Sequence, residues 1–223
     1  MDFVHGVNLT NPYVCHNLAL TGKLMSPNAL ALIAQGIAAS QSRIESLPMD
    51  VLRRGTATNF APTPRAANSL IIGGMLERGE KLYDGYGHPV LMSGETQQWH
   101  RNVFRTEMVF EERRRIVAPT AVSRLSCLWM AERTSAGTKH IQAMLGSDMY
   151  LIDVKIVLQI GLTRVDTQWF DKYCEDPKVE FADRYWTGDR CPLGETWEYL
   201  LDGVLALERE DQRAYIKDHG AHY

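Results

Sequence analysis

Three short stretches carry residue types that can do chemistry. The first is Thr196-Trp197-Glu198-Tyr199-Leu200-Leu201-Asp202-Gly203-Val204-Leu205-Ala206-Leu207-Glu208. Aromatic, Leu and Val residues dominate it and Gly203 interrupts it, which predicts a buried strand with a bulge or sharp bend. Strand alternation puts Glu198 on the face of Leu200, Val204 and Ala206. A carboxylate there is costly unless it has partners or a task. The second stretch is Arg54-Gly55-Thr56, at the end of a run from Met49 that reads as a short strand entering a turn. A guanidinium can fork onto two oxygens of an anion, and a neighbouring glycine lets backbone approach a ligand. The third is S-R-L-S-C, with Ser123 and Ser126 on a strand predicted over 122–130. Alternation sends these two serines to opposite faces, so one of them, Ser123 by preference, faces a cleft. A plainer reading of Glu198 is a strand-end carboxylate paired with an arginine. Arg53 competes with Arg54 for the functional role.

The elements that must position these residues follow along the chain. Residues 1–25 carry turn signals without a clear period. Ser26-Pro27 offers an N-cap and a first-turn proline, and Leu30, Ile33, Ile37 and Ile44 continue at near-helical spacing. Residues 1–48 are therefore expected as a helical N-terminal extension, 49–209 as the main domain, and 210–223 as a polar tail or frayed helix. Arg65 to Arg78 predicts a helix that Gly73-Gly74 weakens, and Lys81 to Pro89 a loop. Glu95 to Val117 predicts a long helix, with Trp99, Val103, Phe104, Met108 and Ile116 as a partial apolar stripe. The run Glu111-Glu112-Arg113-Arg114-Arg115 reads as its solvated end. A helix over 135–145, a strand over 149–158 and short helices over 166–175 and 178–186 lead to the Glu198 strand. Helices and strands mix without regular βαβ alternation, which argues for α+β. Neither a dinucleotide-fold glycine fingerprint nor a P-loop is present.

Composition narrows the classes. The chain has 223 residues, 45% of them hydrophobic and 23% charged, as expected for a globular protein with a full core. A net charge of -3 does not advertise nucleic acid or an anionic membrane as partner. Cys15, Cys127, Cys174 and Cys191 form no C-x-x-C, and no histidine pair stands near them at zinc spacing. They read as reduced thiols, so no metal is expected. No apolar run reaches the ~20 residues of a membrane span, and the expected location is the cytosol.

The order Arg, Ser, Glu resembles the ADP-ribosyltransferase-like superfamily. Arg54-Gly55-Thr56 is similar to its first-strand arginine and following glycine. The run from Phe110-Glu111 through Arg113 to S-R-L-S-C-L-W resembles a bacterial branch of that superfamily. So does Tyr185-Trp186-Thr187-Gly188 followed by Glu198-Tyr199-Leu200-Leu201-Asp202-Gly203-Val204. The last piece also resembles the catalytic-glutamate segment of DNA-ADP-ribosylating toxins. The resemblance covers about residues 49–208. It implies a split β-sheet or sandwich core with flanking helices. It implies NAD as substrate, with Glu198 catalytic and Arg54, Gly55, Thr56, Ser123, Ser126, Tyr185 and Trp186 around the dinucleotide. ADP-ribose would pass to a protein or nucleic acid, as for a toxin, an effector or a phage–host conflict factor. The rivals are an NAD glycohydrolase at the same site and a non-catalytic binding module. Tyr185 and Trp186 also read as core aromatics. Arginine-modifying members carry a second glutamate two positions before the catalytic one. Here Thr196 stands there, which argues against arginine as acceptor. The sequence leaves the acceptor and the oligomeric state open.

Overall fold

Among the described residues, five antiparallel strands make the frame, and the strand bearing Glu198 lies at its centre. The computed structural model describes residues 2–35, 44–54, 67–145 and 149–222. Strand β1 (Phe3–Asn8), helix α1 (Pro12–Thr21), β2 (Lys23–Met25) and α2 (Pro27–Gln35) open the chain. A one-turn helix, α3 (Met49–Arg53), and a π-helical segment (Ala67–Gly73) running into α4 (Gly74–Glu77) precede the long α5 (Gly94–Val117). Then come β3 (Leu128–Glu132), α6 (Ser135–Leu145), β4 (Met149–Asp166), α7 (Gln168–Glu175), α8 (Val179–Thr187), β5 (Trp197–Leu207) and α9 (Glu210–His219). The class is α+β.

The strands run in the order β2-β5-β3-β1-β4, and β4 also pairs with β5, so the sheet closes on itself. The long β4 makes this possible: residues 149–154 pair with β1, and 154–166 pair with β5. One edge of β5 is occupied by β4 along its whole length; the other is shared by β3 and β2. Alternation then divides the core. Tyr199, Leu201 and Leu205 pack with Phe3, Leu18, Met130 and Ile216. Leu200 faces the opposite way, among Phe110, Trp129, Val165, Trp169 and Tyr185.

Several expectations change. The N-terminal segment is not a helical extension alone, because β1 and β2 are strands of the sheet. Their pairing is non-local, and a six-residue strand interrupted by His5-Gly6 carries little periodic signal. The run 49–53 is a helix, not a strand: Pro48 sets its entry, Leu52 alone is buried and Arg53 and Arg54 point out. Gly55 and Thr56 lie outside the described residues. The strand expected over 122–130 begins only at Leu128. Ser123 Oγ accepts from Leu125 N at 3.2 Å, a local bond that competes with strand pairing. The C-terminal segment is an ordered helix, α9, with Gln212 and Ile216 buried.

Gly203 marks a close approach. Two register shifts on β4, between Ile156 and Leu158 and between Gln159 and Gly161, lie opposite it. A Cβ at Gly203 would stand 2.0 Å from the Leu158 carbonyl oxygen. Gly203→Ala must therefore separate the two central strands. The expected result is a loss of at least about 2 kcal/mol in urea unfolding. An unchanged midpoint would contradict this strand packing.

Candidate functional site

The helix α5, the turn after it, α6, α7 and the start of β5 surround a cleft of about 1080 Å³. Glu198 lies at its floor with 0% exposure. Its register is fixed by β4, where Val165 is its partner across the ladder. The buried Asp166 ties the approaches together. Its carboxylate accepts from Gln168 N, Thr196 N and Cys191 N, which pins the end of β4 and the loop before β5. Gly188, left-handed at φ 72°, ends α8 and turns the chain into that loop.

Glu198 Oε1 is held tightly. It accepts from the Tyr185 hydroxyl at 2.6 Å and from Arg124 Nη1 at 3.3 Å. Arg124 is itself 3% exposed and donates to both Glu107 oxygens and to the Tyr185 hydroxyl. Its guanidinium sits between the Phe170 and Trp129 rings, 4.1 and 4.4 Å from their centroids. Burial opposes its charge, but Glu107, Tyr185 and Glu198 outweigh that and raise it above the usual arginine value. Burial also lifts the Tyr185 phenol well above its usual value; Arg124 opposes that and Glu198 adds to it. Tyr185 therefore stays protonated and donates to the carboxylate. The plain expectation of a Glu198–arginine pair is met for this one oxygen.

The other oxygen is different. Glu198 Oε2 is buried and has no hydrogen-bond partner among the described residues. His140 Nε2 stands 3.7 Å away on α6, and it too is buried and unpartnered. Asp171 lines the same cleft. Partial burial, then the Glu198 charge, push its carboxyl up, while His140 and Arg124 pull it down. The cleft thus holds three carboxyls in different surroundings: Glu107 and Glu198 buried against Arg124, and Asp171 only partly buried. Arg105 and the exposed Trp99 stand on the cleft wall contributed by α5.

The structure brings together only part of the expected constellation. Glu198 and Tyr185 meet. Arg54 does not join them: its side chain is 68% exposed and paired with Asp50 at 2.8 Å. Arg53 pairs with Glu112. Ser123 and Ser126 are buried but do not line the cleft. Ser123 donates to Glu111, and Ser126 to Glu45. Trp186 is core, donating its indole N–H to the Phe110 carbonyl at 2.7 Å. The charge run is not a solvated end either. Glu111 and Arg114 are buried, and Glu111 accepts from Arg114, Arg115 and Ser123, knotting α5 to the turn that presents Arg124.

Arg124, Glu107, His140 and Asp171 were not expected from the sequence. Two signals point to them. Arg124 lies in an apolar run, inside the very motif whose serines drew attention. Glu107 and Glu111 fall on the face of α5 that carries Phe104 and Met108, where a carboxylate needs a cation. His140 and Asp171 leave no comparable mark.

The fold and the cleft define an α+β protein with a buried carboxylate–guanidinium site. The family model described as "Protein of unknown function (DUF2441)" matches residues 90–210, more than half of the chain, and the protein belongs to that family. Every cleft-lining residue falls within the matched span. No curated protein matches the chain. Among the described residues, no helix is long and apolar enough to cross a membrane.

Proposed function

We propose that this cleft cleaves the nicotinamide N-glycosidic bond of NAD and transfers the ADP-ribosyl group to a macromolecular acceptor, protein or nucleic acid. One observation carries the reading. Glu198, which lines a cleft of dinucleotide size, is anchored through Oε1, while its buried Oε2 has no hydrogen-bond partner among the described residues. The bond breaks with its electron pair leaving on nicotinamide, and positive charge grows on the ribosyl carbon, as in glycoside hydrolysis. A fixed carboxylate beneath that carbon stabilises the charge. The floor carries two carboxylates, Glu107 and Glu198, against the single guanidinium of Arg124, which favours a developing cation. The acceptor's bond to that carbon completes the transfer, and the acceptor's proton leaves to a carboxylate or to solvent.

The resemblance at Tyr185-Trp186-Thr187-Gly188 and at Glu198 to Val204 supports the reading, and with it a split-sheet core of the ADP-ribosyltransferase kind. The all-antiparallel sheet and the change of partner along β4 agree with such a core. Arg54 has no part in this version. Arg105, exposed on the cleft wall and paired with Glu77 at 2.9 Å, is the cation available to the pyrophosphate. A toxin or effector role in the cytosol of a producer or target cell is part of the proposal. The depth of Glu198 favours a second reading, an NAD glycohydrolase, because water reaches a fully buried carboxylate more easily than a protein side chain does.

Labelled NAD, offered with cell protein and separately with nucleic acid, tests both. Macromolecular label marks the transferase; free ADP-ribose alone marks the hydrolase. Millimolar NAD is expected to raise the melting temperature, since it binds only the native state. Arg54→Ala is expected to leave that shift intact, and Arg105→Ala to reduce it. No shift and no nicotinamide release in the wild type would leave a non-catalytic binding module instead.

A further inference from the structure

Three carboxylates line the cleft, and only one of them is within reach of an incoming group. Glu107 and Glu198 have side-chain exposures of 1% and 0% and share Arg124. Asp171 is partly buried yet open to solvent. Its carboxylate makes no hydrogen bond or ion pair among the described residues. His140 also lines the cleft, but its Nε2 is buried, 3.7 Å from Glu198. A group entering from solvent therefore meets Asp171 before any of these.

Asp171 is held in place by the helix that carries it. Thr167 N donates to the Thr196 carbonyl at 2.9 Å, and Gln168 N to Asp166, so the start of α7 is tied to the approach of β5. The neighbouring Phe170 lies against the Arg124 guanidinium and packs on the Phe110 ring at 5.0 Å. Tyr173 meets that ring edge-on at 5.2 Å. The placement brings Asp171 under the influence of the cleft floor. After burial, the Glu198 charge pushes its carboxyl up; His140 and Arg124 pull it down, and Glu175 on its own helix adds to the rise. On α8, which packs against α7, Arg184 pairs with Glu180, and Asp183 with Arg113. An unpaired, accessible carboxylate with its pKa displaced upward has the properties of a general base.

We propose that Asp171 is the general base of the transfer, taking the proton of the acceptor group as that group bonds to the ribosyl carbon. The proposal rests on the NAD reading and completes its proton path. The electron pair of the C–N bond leaves on nicotinamide. A lone pair of the acceptor forms the new bond, its proton passes to an Asp171 oxygen, and solvent later removes it. Glu198 stabilises charge from the floor, and Asp171 serves the incoming group from the wall. This suits a hydroxyl acceptor, which is neutral at rest and must lose its proton as it attacks.

The test follows whichever product wild type forms from labelled NAD, labelled macromolecule or free ADP-ribose, across pH. The base works ionised, so the wild-type rate should fall as pH drops through its pKa, at a point above the ordinary aspartate value. Asp171→Asn is expected to keep the melting temperature and the NAD affinity, to lose roughly a hundredfold in rate, and to lose that acid limb. Asp171→Glu should restore part of the rate and a limb. A structural role would instead move the melting temperature or the affinity and leave the limb in place. An Asp171→Asn rate within about threefold of wild type, or an unchanged acid limb, would overturn the base while leaving the NAD reading intact. No NAD binding and no product from wild type would overturn both. Should Asp171→Asn fail to fold, the wild-type limb and its displacement in Asp171→Glu decide the matter: a limb that stays where it was overturns the base.

Discussion

Arg124→Ala is expected to cost about 3–5 kcal/mol of folding stability, the range found when one partner of a buried ion pair is removed. The reason lies in what stays behind. Glu107 and Glu198 have side-chain exposures of 1% and 0%, and both lean on the same guanidinium. Without it, two buried carboxylates share an apolar space without the cation that both lean on, though the Tyr185 hydroxyl still donates to Glu198. The ring faces of Trp129 and Phe170 also lose the cation stacked between them. Such a loss is a large part of the 5–15 kcal/mol that a domain of this kind has in total, on the order of the whole in a marginal case. Urea unfolding followed by near-ultraviolet circular dichroism measures it. The double variant Arg124→Leu, Glu107→Leu should recover much of the loss, because it removes the second buried charge and refills the space with apolar atoms. A single Arg124→Ala loss below about 1 kcal/mol would mean that the cluster is solvated and not the floor described above.

The same cluster explains which parts of the molecule could be read from the sequence. Helix α5, α6, α7, α8 and strand β5 announced themselves because their signals are local: periodicity, and breakers at Pro119, Pro177 and the Gly/Pro loop over 187–194. Glu198 was legible because a carboxylate in an apolar strand conflicts with its surroundings, and such conflicts gather at sites. The arginine was misplaced because Arg54 has the right residue type at a position that caps a short helix and points away from Glu198's cleft. The arginine that does pair with Glu198, Arg124, shares a five-residue motif with two serines and was hidden by them. Strand β1 could not be read because its identity comes from partners far along the chain, at Glu132 and at 149–154. No pattern of spacing announces His140, which reaches Glu198 only through the docking of α6 beside β3 and β1.

Glu198→Gln is expected to leave a folded, NAD-binding protein whose transfer rate falls by roughly a hundredfold or more, the scale of losing a preorganised electrostatic stabiliser. The amide is nearly isosteric. Its oxygen can keep accepting from the Tyr185 hydroxyl, which stays protonated because burial holds its pKa high. Arg124 keeps Glu107 as its ionic partner, so no buried guanidinium is left alone. A neutral amide is also easier to bury than a carboxylate, which offsets part of the weakened Arg124 contact. What disappears is the negative charge shared by Oε2, which has no hydrogen-bond partner among the described residues. That is why this substitution separates the two roles of the residue, whereas Glu198→Ala would open a hole and confuse them. Rates of nicotinamide release and of label transfer from NAD, taken beside the melting temperature, give the answer. Full transfer at an unchanged melting temperature would make Glu198 a structural carboxylate, and the chemistry would then have to be sought at another group. A fall in rate without a fall in NAD affinity would put the charge where the transition state needs it.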